Sequence, residues 1–168
     1  MADNADMKIR FTKMQGAGND FIVLDETRGS LGLSRAHYRF LADRRYGIGA
    51  DQILSVRPAT RLDTDFAYAI HNADGGEVEH CGNGARCFVR YVLEQGLTGK
   101  DTIAVEVKRG TIVLLARQDG LVTVDMGIPV FDAAVLPFHP EALSRRQQQQ
   151  ATLWQLDLSA AGLAPVEA

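Results

Sequence analysis

Apolar and polar residues alternate near the start of the chain in the pattern of a half-buried strand. Within residues 8–14, charged or polar residues separate Ile9, Phe11 and Met14, which follows the two-residue period of a strand with one buried face. The continuous apolar run in Phe21–Asp25 predicts a buried second strand. Between them, residues 15–20 are rich in glycine, Asn and Asp, and this composition predicts a turn with unusual backbone angles.

The next segment has the three- and four-residue spacing of a helix. Ser34 is the predicted N-cap, and His37 stands where a capping box has Glu. The apolar spacing predicts that this helix continues to about Arg45 and ends at Gly47.

A second helix and five further strands follow from the same periodicities. The helix is predicted over Gly82–Gln95, with Gly96 as its C-terminal cap. Strands are predicted over residues 52–57, 65–72, 102–107, 111–117 and 121–126, the last three as a meander with glycine turns.

The pattern changes after Pro129. Two prolines and four glutamines, at 147–150, are typical of a linker. Residues 152–158 then alternate like one more strand, and no partner element is predicted behind them.

Composition narrows the class of protein. With 168 residues, 46% of them hydrophobic and 23% charged, the chain has the profile of a soluble domain with its own core. A net charge of −3 argues against a nucleic-acid partner. The longest apolar runs have only five residues, against the roughly 20 of a membrane-spanning helix. Because Asp3 and Asp6 stand where a targeting peptide carries basic residues, we expect a cytoplasmic location.

The polar stretch from Asn72 to Cys87 is the strongest candidate for chemistry. Cys81 lies directly before the predicted second helix, where unpaired backbone N–H groups and the helix dipole favour a thiolate. The alternative is that Cys81 is a small buried hydrophobic residue, but Gly82 and Gly84 favour a backbone open to a carboxylate or phosphate. Cys87 falls on the apolar face of the helix and is interpreted as a core residue.

Three amide side chains stand at predicted strand ends or in glycine-rich loops, namely Asn19, Gln52 and Asn72. Amides in such places can bind the ammonium and carboxylate groups of an amino acid, and the alternative is that they only form turns.

Two other kinds of site are weakly supported. Three Gly-x-Gly pairs lack the third glycine of a dinucleotide-binding loop. His71, His80, Cys81 and Cys87 do not have the spacing of a metal site, so we predict no metal. A nucleophilic Cys–His pair that uses His71 or His80 stays a possible alternative.

Four blocks in a fixed order resemble the diaminopimelate epimerase family. They are Gly16-Ala17-Gly18-Asn19-Asp20-Phe21, Arg45-Tyr46-Gly47-Ile48-Gly49-Ala50-Asp51-Gln52, Asn72-Ala73-Asp74-Gly75 and Cys81-Gly82-Asn83-Gly84-Ala85-Arg86. The resemblance covers residues 7–138 and corresponds to the N-terminal half of that enzyme and the start of its second half. It implies an α+β fold in which a strongly curved mixed sheet wraps around the Gly82–Gln95 helix. The implied domains are 1–136, epimerase-like, and 137–168, a linker with the first elements of a truncated second domain.

The resemblance also implies a function and a site. The reaction is inversion at the α-carbon of LL- or meso-diaminopimelate in lysine and peptidoglycan biosynthesis, without pyridoxal phosphate or any other cofactor, by one cysteine thiolate and one cysteine thiol. By motif match Cys81 is the first of these, and Asn19, Gln52, Asn72, Gly82 and Asn83 bind the substrate. The family's second cysteine belongs to a motif beyond this sequence, so the resemblance implies that the chain alone is inactive.

Two alternatives to this function stay open. One is a related isomerase, similar to proline racemase, that acts on another amino acid. The other is a non-catalytic module that binds an amino acid or a partner through the same loops. The sequence leaves a homodimer open, and it gives His80 no family role.

Overall fold

The computed structural model describes residues 8–79 and 81–167, so Asp3, Asp6 and His80 lie outside the described residues. The chain forms two compact units, Met1–Met126 and Gly127–Ala168. The domain boundary predicted at residue 136 stays a prediction. None of the described helices is both long and apolar enough to span a membrane.

The described residues of the first unit form eight strands and two helices. The strands are β1 (Thr12–Gly16), β2 (Asn19–Asp25), β3 (Gln52–Pro58), β4 (Phe66–Asn72), β5 (Glu77–Val78), β6 (Thr102–Val107), β7 (Gly110–Ala116) and β8 (Val122–Val124), and the helices are α1 (Arg35–Ala42) and α2 (Gly82–Glu94). The strands form one mixed sheet in the order β1-β2-β3-β4-β6-β7-β8, with β5 paired to β4. The pairs β2/β3 and β4/β6 are parallel, and the other pairs are antiparallel.

The sheet curls around α2, as predicted. The helix contacts strands from both ends of the sheet, including β1 and β8. Phe88 is fully buried on the helix face that meets the sheet, with its ring centroid 5.7 Å from that of Phe66 and 5.3 Å from that of Tyr68. Burial of such a large aromatic side chain contributes strongly to the packing that fixes the helix on the sheet. The α+β fold expected from the resemblance is therefore confirmed.

The other helix of the unit, α1, packs near β3 and β4 over a separate apolar cluster. Ser34 caps it as predicted, and His37 performs the task of the usual Glu, because its Nδ1 accepts the Ser34 backbone N–H at 3.1 Å. The predicted extension to Arg45 is wrong. The helix ends at Ala42, since Asp43 leaves the helical region at ψ 125° and its Oδ1 accepts the backbone N–H groups of Arg45 and Tyr46 instead.

The first two strands form a tight hairpin. The predicted turn is confirmed and is only two residues long, because Ala17 (φ 50°) and Gly18 (φ 94°) both adopt the left-handed region that such turns require. The first strand begins at Thr12, four residues later than predicted. The predicted meander is confirmed as β6, β7 and β8.

The second unit agrees with the prediction only in part. The glutamine-rich segment is not a linker, because Arg145–Gln148 forms β9 and pairs with β10 (Ala151–Leu156) across a turn at Gln149. A short strand β11 (Val166–Glu167) pairs with β10 as well. The strand predicted over residues 152–158 is confirmed as β10, whereas β9 and β11 were missed because pairing with β10, not their own residues, stabilises them.

Candidate functional site

Three strand ends bring the predicted amide residues to one end of the sheet. Strands β2 and β3 are parallel and begin at Asn19 and Gln52, while the antiparallel β4 ends at Asn72. Gln52 is the register partner of Asn72, and its Nε2 donates to Asn72 Oδ1 at 2.8 Å. Gln52 Oε1 is buried and accepts no hydrogen bond from the described part of the chain. A buried amide oxygen without a donor costs roughly 1–3 kcal/mol, so this atom suits a ligand N–H.

Helix α2 contributes one amide of a second pair. Asn83, on its first turn, donates from Nδ2 to Asn19 Oδ1 at 2.8 Å, although 64 residues separate the two in sequence. Arg86, one turn further along, donates from Nη1 to Asn83 Oδ1 at 3.5 Å. The structure therefore joins β2 to the N-terminus of α2 and places four amide side chains in two hydrogen-bonded pairs.

Cys81 is the N-cap residue of α2, as the sequence predicts. Its backbone is extended (φ −144°, ψ 121°), and its side chain makes no capping hydrogen bond. The helical ladder starts where Ala85 N donates to Cys81 O at 2.8 Å. The backbone N–H groups of Gly82 and Asn83 precede that bond, so they belong to the unpaired donors of a helix N-terminus. The Cys81 side chain is half-buried against the core cluster of the sheet and helix.

Glycine lets the helix N-terminus lie close to the sheet. A Cβ on Gly84 would lie 2.6 Å from Ile70 Cδ1 and 3.4 Å from Phe21 Cε1. Both of those side chains are buried, at 1% and 0% exposure, and have little room to move. The absence of a side chain at residue 84 therefore sets how near Cys81 approaches β4.

Two neighbouring groups are held in their neutral forms. Burial raises the pKa of the Cys87 thiol, and the proximity of Cys81 raises it further. The same two causes raise the pKa of Tyr68, whose buried hydroxyl has no partner among the described residues. Cys87 is 3% exposed and belongs to the core, which agrees with its interpretation from the sequence.

Sequence reasoning missed an ionic network beside the amides. Arg44 donates to both carboxylate oxygens of Asp20, at 2.7 and 3.0 Å, and to Asp51 Oδ1 at 2.9 Å. Lys13 forms an ion pair with Asp20 at 2.8 Å. The hydrogen bonds from Arg44, and to a smaller extent the one from Lys13, hold the pKa of the Asp20 carboxyl well below its usual range. The sequence does carry a signal for this network, because each of the two acidic residues is adjacent to a predicted site amide. Asp20 directly follows Asn19, and Asp51 directly precedes Gln52.

His71 makes no hydrogen bond to the amide cluster in the described part of the chain. His71 is buried, and its ring stacks on Tyr38 at a centroid distance of 3.7 Å. Burial lowers its pKa. The described residues, 8–79 and 81–167, contain no group of three or more His, Cys, Asp or Glu that could hold a metal ion.

Two solved structures share the fold of this chain. A hydroxyproline epimerase from Agrobacterium vitis matches with a TM-score of 0.54 and 17% identity, over 69% of this chain and 38% of that one. A probable proline racemase from Agrobacterium radiobacter K84 matches with a TM-score of 0.53 and 17% identity, over 66% of this chain and 38% of that one. At this level of identity the likeness concerns the fold alone, which the chain shares with this epimerase and this racemase.

Sequence comparison identifies the family. The profile described as diaminopimelate epimerase matches residues 11–131. The diaminopimelate epimerase of Albidiferax ferrireducens is 61% identical over 148 residues, 88% of this chain and 50% of the relative. That of Acidovorax ebreus is 59% identical over 152 residues, 90% of this chain and 52% of the relative. The chain belongs to the diaminopimelate epimerase family, and it spans about half the length of the curated relatives it matches.

Proposed function

We propose that this chain supplies one half of an active site that inverts the α-carbon of diaminopimelate, with Cys81 as one of two cysteines that exchange the α-proton. The observation that carries the proposal is the position of Cys81. It caps an open helix N-terminus beside the two amide pairs, Asn19–Asn83 and Gln52–Asn72. Family membership supports the same substrate.

The chemistry requires a stabilised carbanion. When a thiolate at Cys81 takes the α-proton, the electron pair of the C–H bond moves onto the α-carbon and into the adjacent carboxylate. Donors fixed in a site that excludes water stabilise that charge. The backbone N–H groups of Gly82 and Asn83 are such donors.

The amides suit the two charged groups of an amino acid. Asn19 and Asn83 each keep a side-chain N–H that can donate to a carboxylate, and the buried Gln52 Oε1 can accept from an ammonium group. Inversion also needs an acid on the opposite face of the α-carbon. Cys87 is unsuited to that task because it is buried in the core with a raised pKa. The second acid is therefore proposed to come from the other half of the enzyme, and no cofactor takes part.

A hybrid enzyme tests the role of Cys81. Residues 11–131 replace the matching part of the Albidiferax ferrireducens epimerase, to which this chain is 61% identical. Incorporation of solvent deuterium at the α-carbon of diaminopimelate is then followed by mass spectrometry or NMR. Cys81→Ser should lower turnover by at least about 100-fold, since a general acid or base contributes that much or more. Cys87→Ala, the matched control, should keep turnover near that of the parent, and a Cys81→Ser hybrid with normal turnover would overturn the assignment.

Two further assays separate the alternatives. A related isomerase would exchange the α-proton of proline faster than that of diaminopimelate in the same hybrid. A non-catalytic binding module would bind diaminopimelate in calorimetry of the 168-residue chain, while the hybrid exchanged no proton.

A further inference from the structure

Asp51 accepts the last hydrogen bond of a chain in which two amides of the proposed site each donate to the next group. Asp51 Oδ1 accepts from Arg44 at 2.9 Å. Its other oxygen, Oδ2, accepts the backbone N–H of Asp20 at 3.1 Å and Asn19 Nδ2 at 3.4 Å. A carboxylate can only accept hydrogen bonds, so the NH₂ group of Asn19 must face Asp51.

This constraint passes on to the next amide. With its nitrogen turned toward Asp51, Asn19 presents Oδ1 to Asn83, which donates from Nδ2 at 2.8 Å. The Oδ1 of Asn83 consequently faces Arg86, whose Nη1 donates to it at 3.5 Å. Each amide nitrogen keeps a second hydrogen for which the described residues offer no partner. Both amides thus present donors.

We infer that Asp51 is a positioning residue that fixes the amide orientations of Asn19 and Asn83, so that the site presents N–H donors to the substrate carboxylate. This inference rests on the proposed function for its ligand. Without the acceptor, the Asn19 amide can rotate by half a turn, which places its nitrogen against the nitrogen of Asn83. Asn83 must then rotate too, and carbonyl oxygens replace donors where a carboxylate would bind.

The experiment compares three variants of the 168-residue chain. Asp51→Ala removes the acceptor. Asp51→Asn removes the charge and keeps one oxygen, which should still face the two donors, Asn19 Nδ2 and Asp20 N, while Arg44 stays on Asp20. Asp65→Ala is the matched control, because Asp65 also accepts a backbone N–H, at 2.9 Å, and pairs with a cation, Lys100, but lies beside the opposite end of β4.

Two readouts are measured on each variant, namely the side-chain amide signals of Asn19 and Asn83 in ¹H–¹⁵N spectra and the affinity for diaminopimelate by calorimetry. Asp51→Ala should displace both amide signals and weaken binding about tenfold, the effect of about one hydrogen bond. Asp51→Asn should restore both signals and the affinity. Asp65→Ala should leave both readouts at the parent values.

Several results would overturn the positioning role. Unmoved amide signals in Asp51→Ala would do so, and so would displaced signals in Asp51→Asn, because the ion pair with Arg44 would then be what matters. If Asp51→Ala does not fold, the signals of Asp51→Asn alone decide. If the parent chain does not bind diaminopimelate, the proposed ligand fails, and the amide signals still decide the role of Asp51.

Discussion

The substitution Gly47→Ala tests how the loop before β3 is held. Past the end of α1 the chain turns back on the helix, and the backbone N–H groups of Ile48 and Gly49 both donate to Leu41 O at 3.0 Å. These bonds satisfy a carbonyl group at the helix C-terminus that would otherwise lack a partner. The loop leads directly into Asp51 and Gln52, so its path positions one side of the site.

A side chain at residue 47 has no space in this loop. The Cβ would lie 1.8 Å from the backbone oxygen of Phe40 and 2.9 Å from that of Asp43. Backbone atoms cannot rotate away, so we expect the upper end of the overpacking cost, about 3 kcal/mol. The lower chain entropy of unfolded alanine returns about 0.4–1 kcal/mol. The expected net loss is therefore at least about 2 kcal/mol, which lowers the melting temperature by at least about 4 °C.

Urea and thermal denaturation, followed by circular dichroism, measure this loss. The control is Gly99→Ala, because a Cβ at residue 99 meets no heavy atom within 4 Å. We expect the control to match the parent or to be more stable by up to about 1 kcal/mol. If Gly47→Ala falls within about 0.5 kcal/mol of the control, the loop does not depend on the absence of a side chain, and the reasoning is refuted.

Three further predictions concern thiol reactivity and pH. In the native chain, iodoacetamide should alkylate the half-buried Cys81 at least about tenfold faster than Cys87; peptide mapping checks this, and equal rates would contradict the burial of Cys87. Hydrogen bonds from threonine hydroxyls lower the pKa of Glu106 from 4.5 to about 2, so its stabilising effect is complete above pH 4.5 and is lost as the pH falls toward 2. Glu106→Gln should flatten acid denaturation in that window, and an unchanged profile in urea titrations would count against it. Burial lowers the pKa of His71 below its usual 6.5, so the unfolded chain takes up the proton first and stability falls as the pH drops below 6.5. His71→Phe should remove that decline, measured as the free energy of unfolding at pH 7 and at about pH 5; a decline that persists would show that other groups cause it.

The sequence determined the elements whose information is local. The two-residue period in β1, the continuous apolar run in β2 and the helical spacing in α2 were sufficient to find these elements, because the faces that an element buries set its apolar pattern. The Cys81 position followed as well, since the start of a helix fixes where the unpaired N–H groups lie. The four motif blocks were likewise sufficient to recognise the family.

The tertiary structure decided what depends on distant residues. The end of α1 is one example, because Asp43 and the returning loop, not the apolar spacing, terminate the helix. The hairpin in the glutamine-rich segment is another, because cross-strand pairing overrides local composition. The direction of the Asn19 and Asn83 amides depends on Asp51, which approaches Asn19 only after β2 and β3 pair in parallel. A sequence records which donors and acceptors exist, whereas only the folded chain sets which of them face each other.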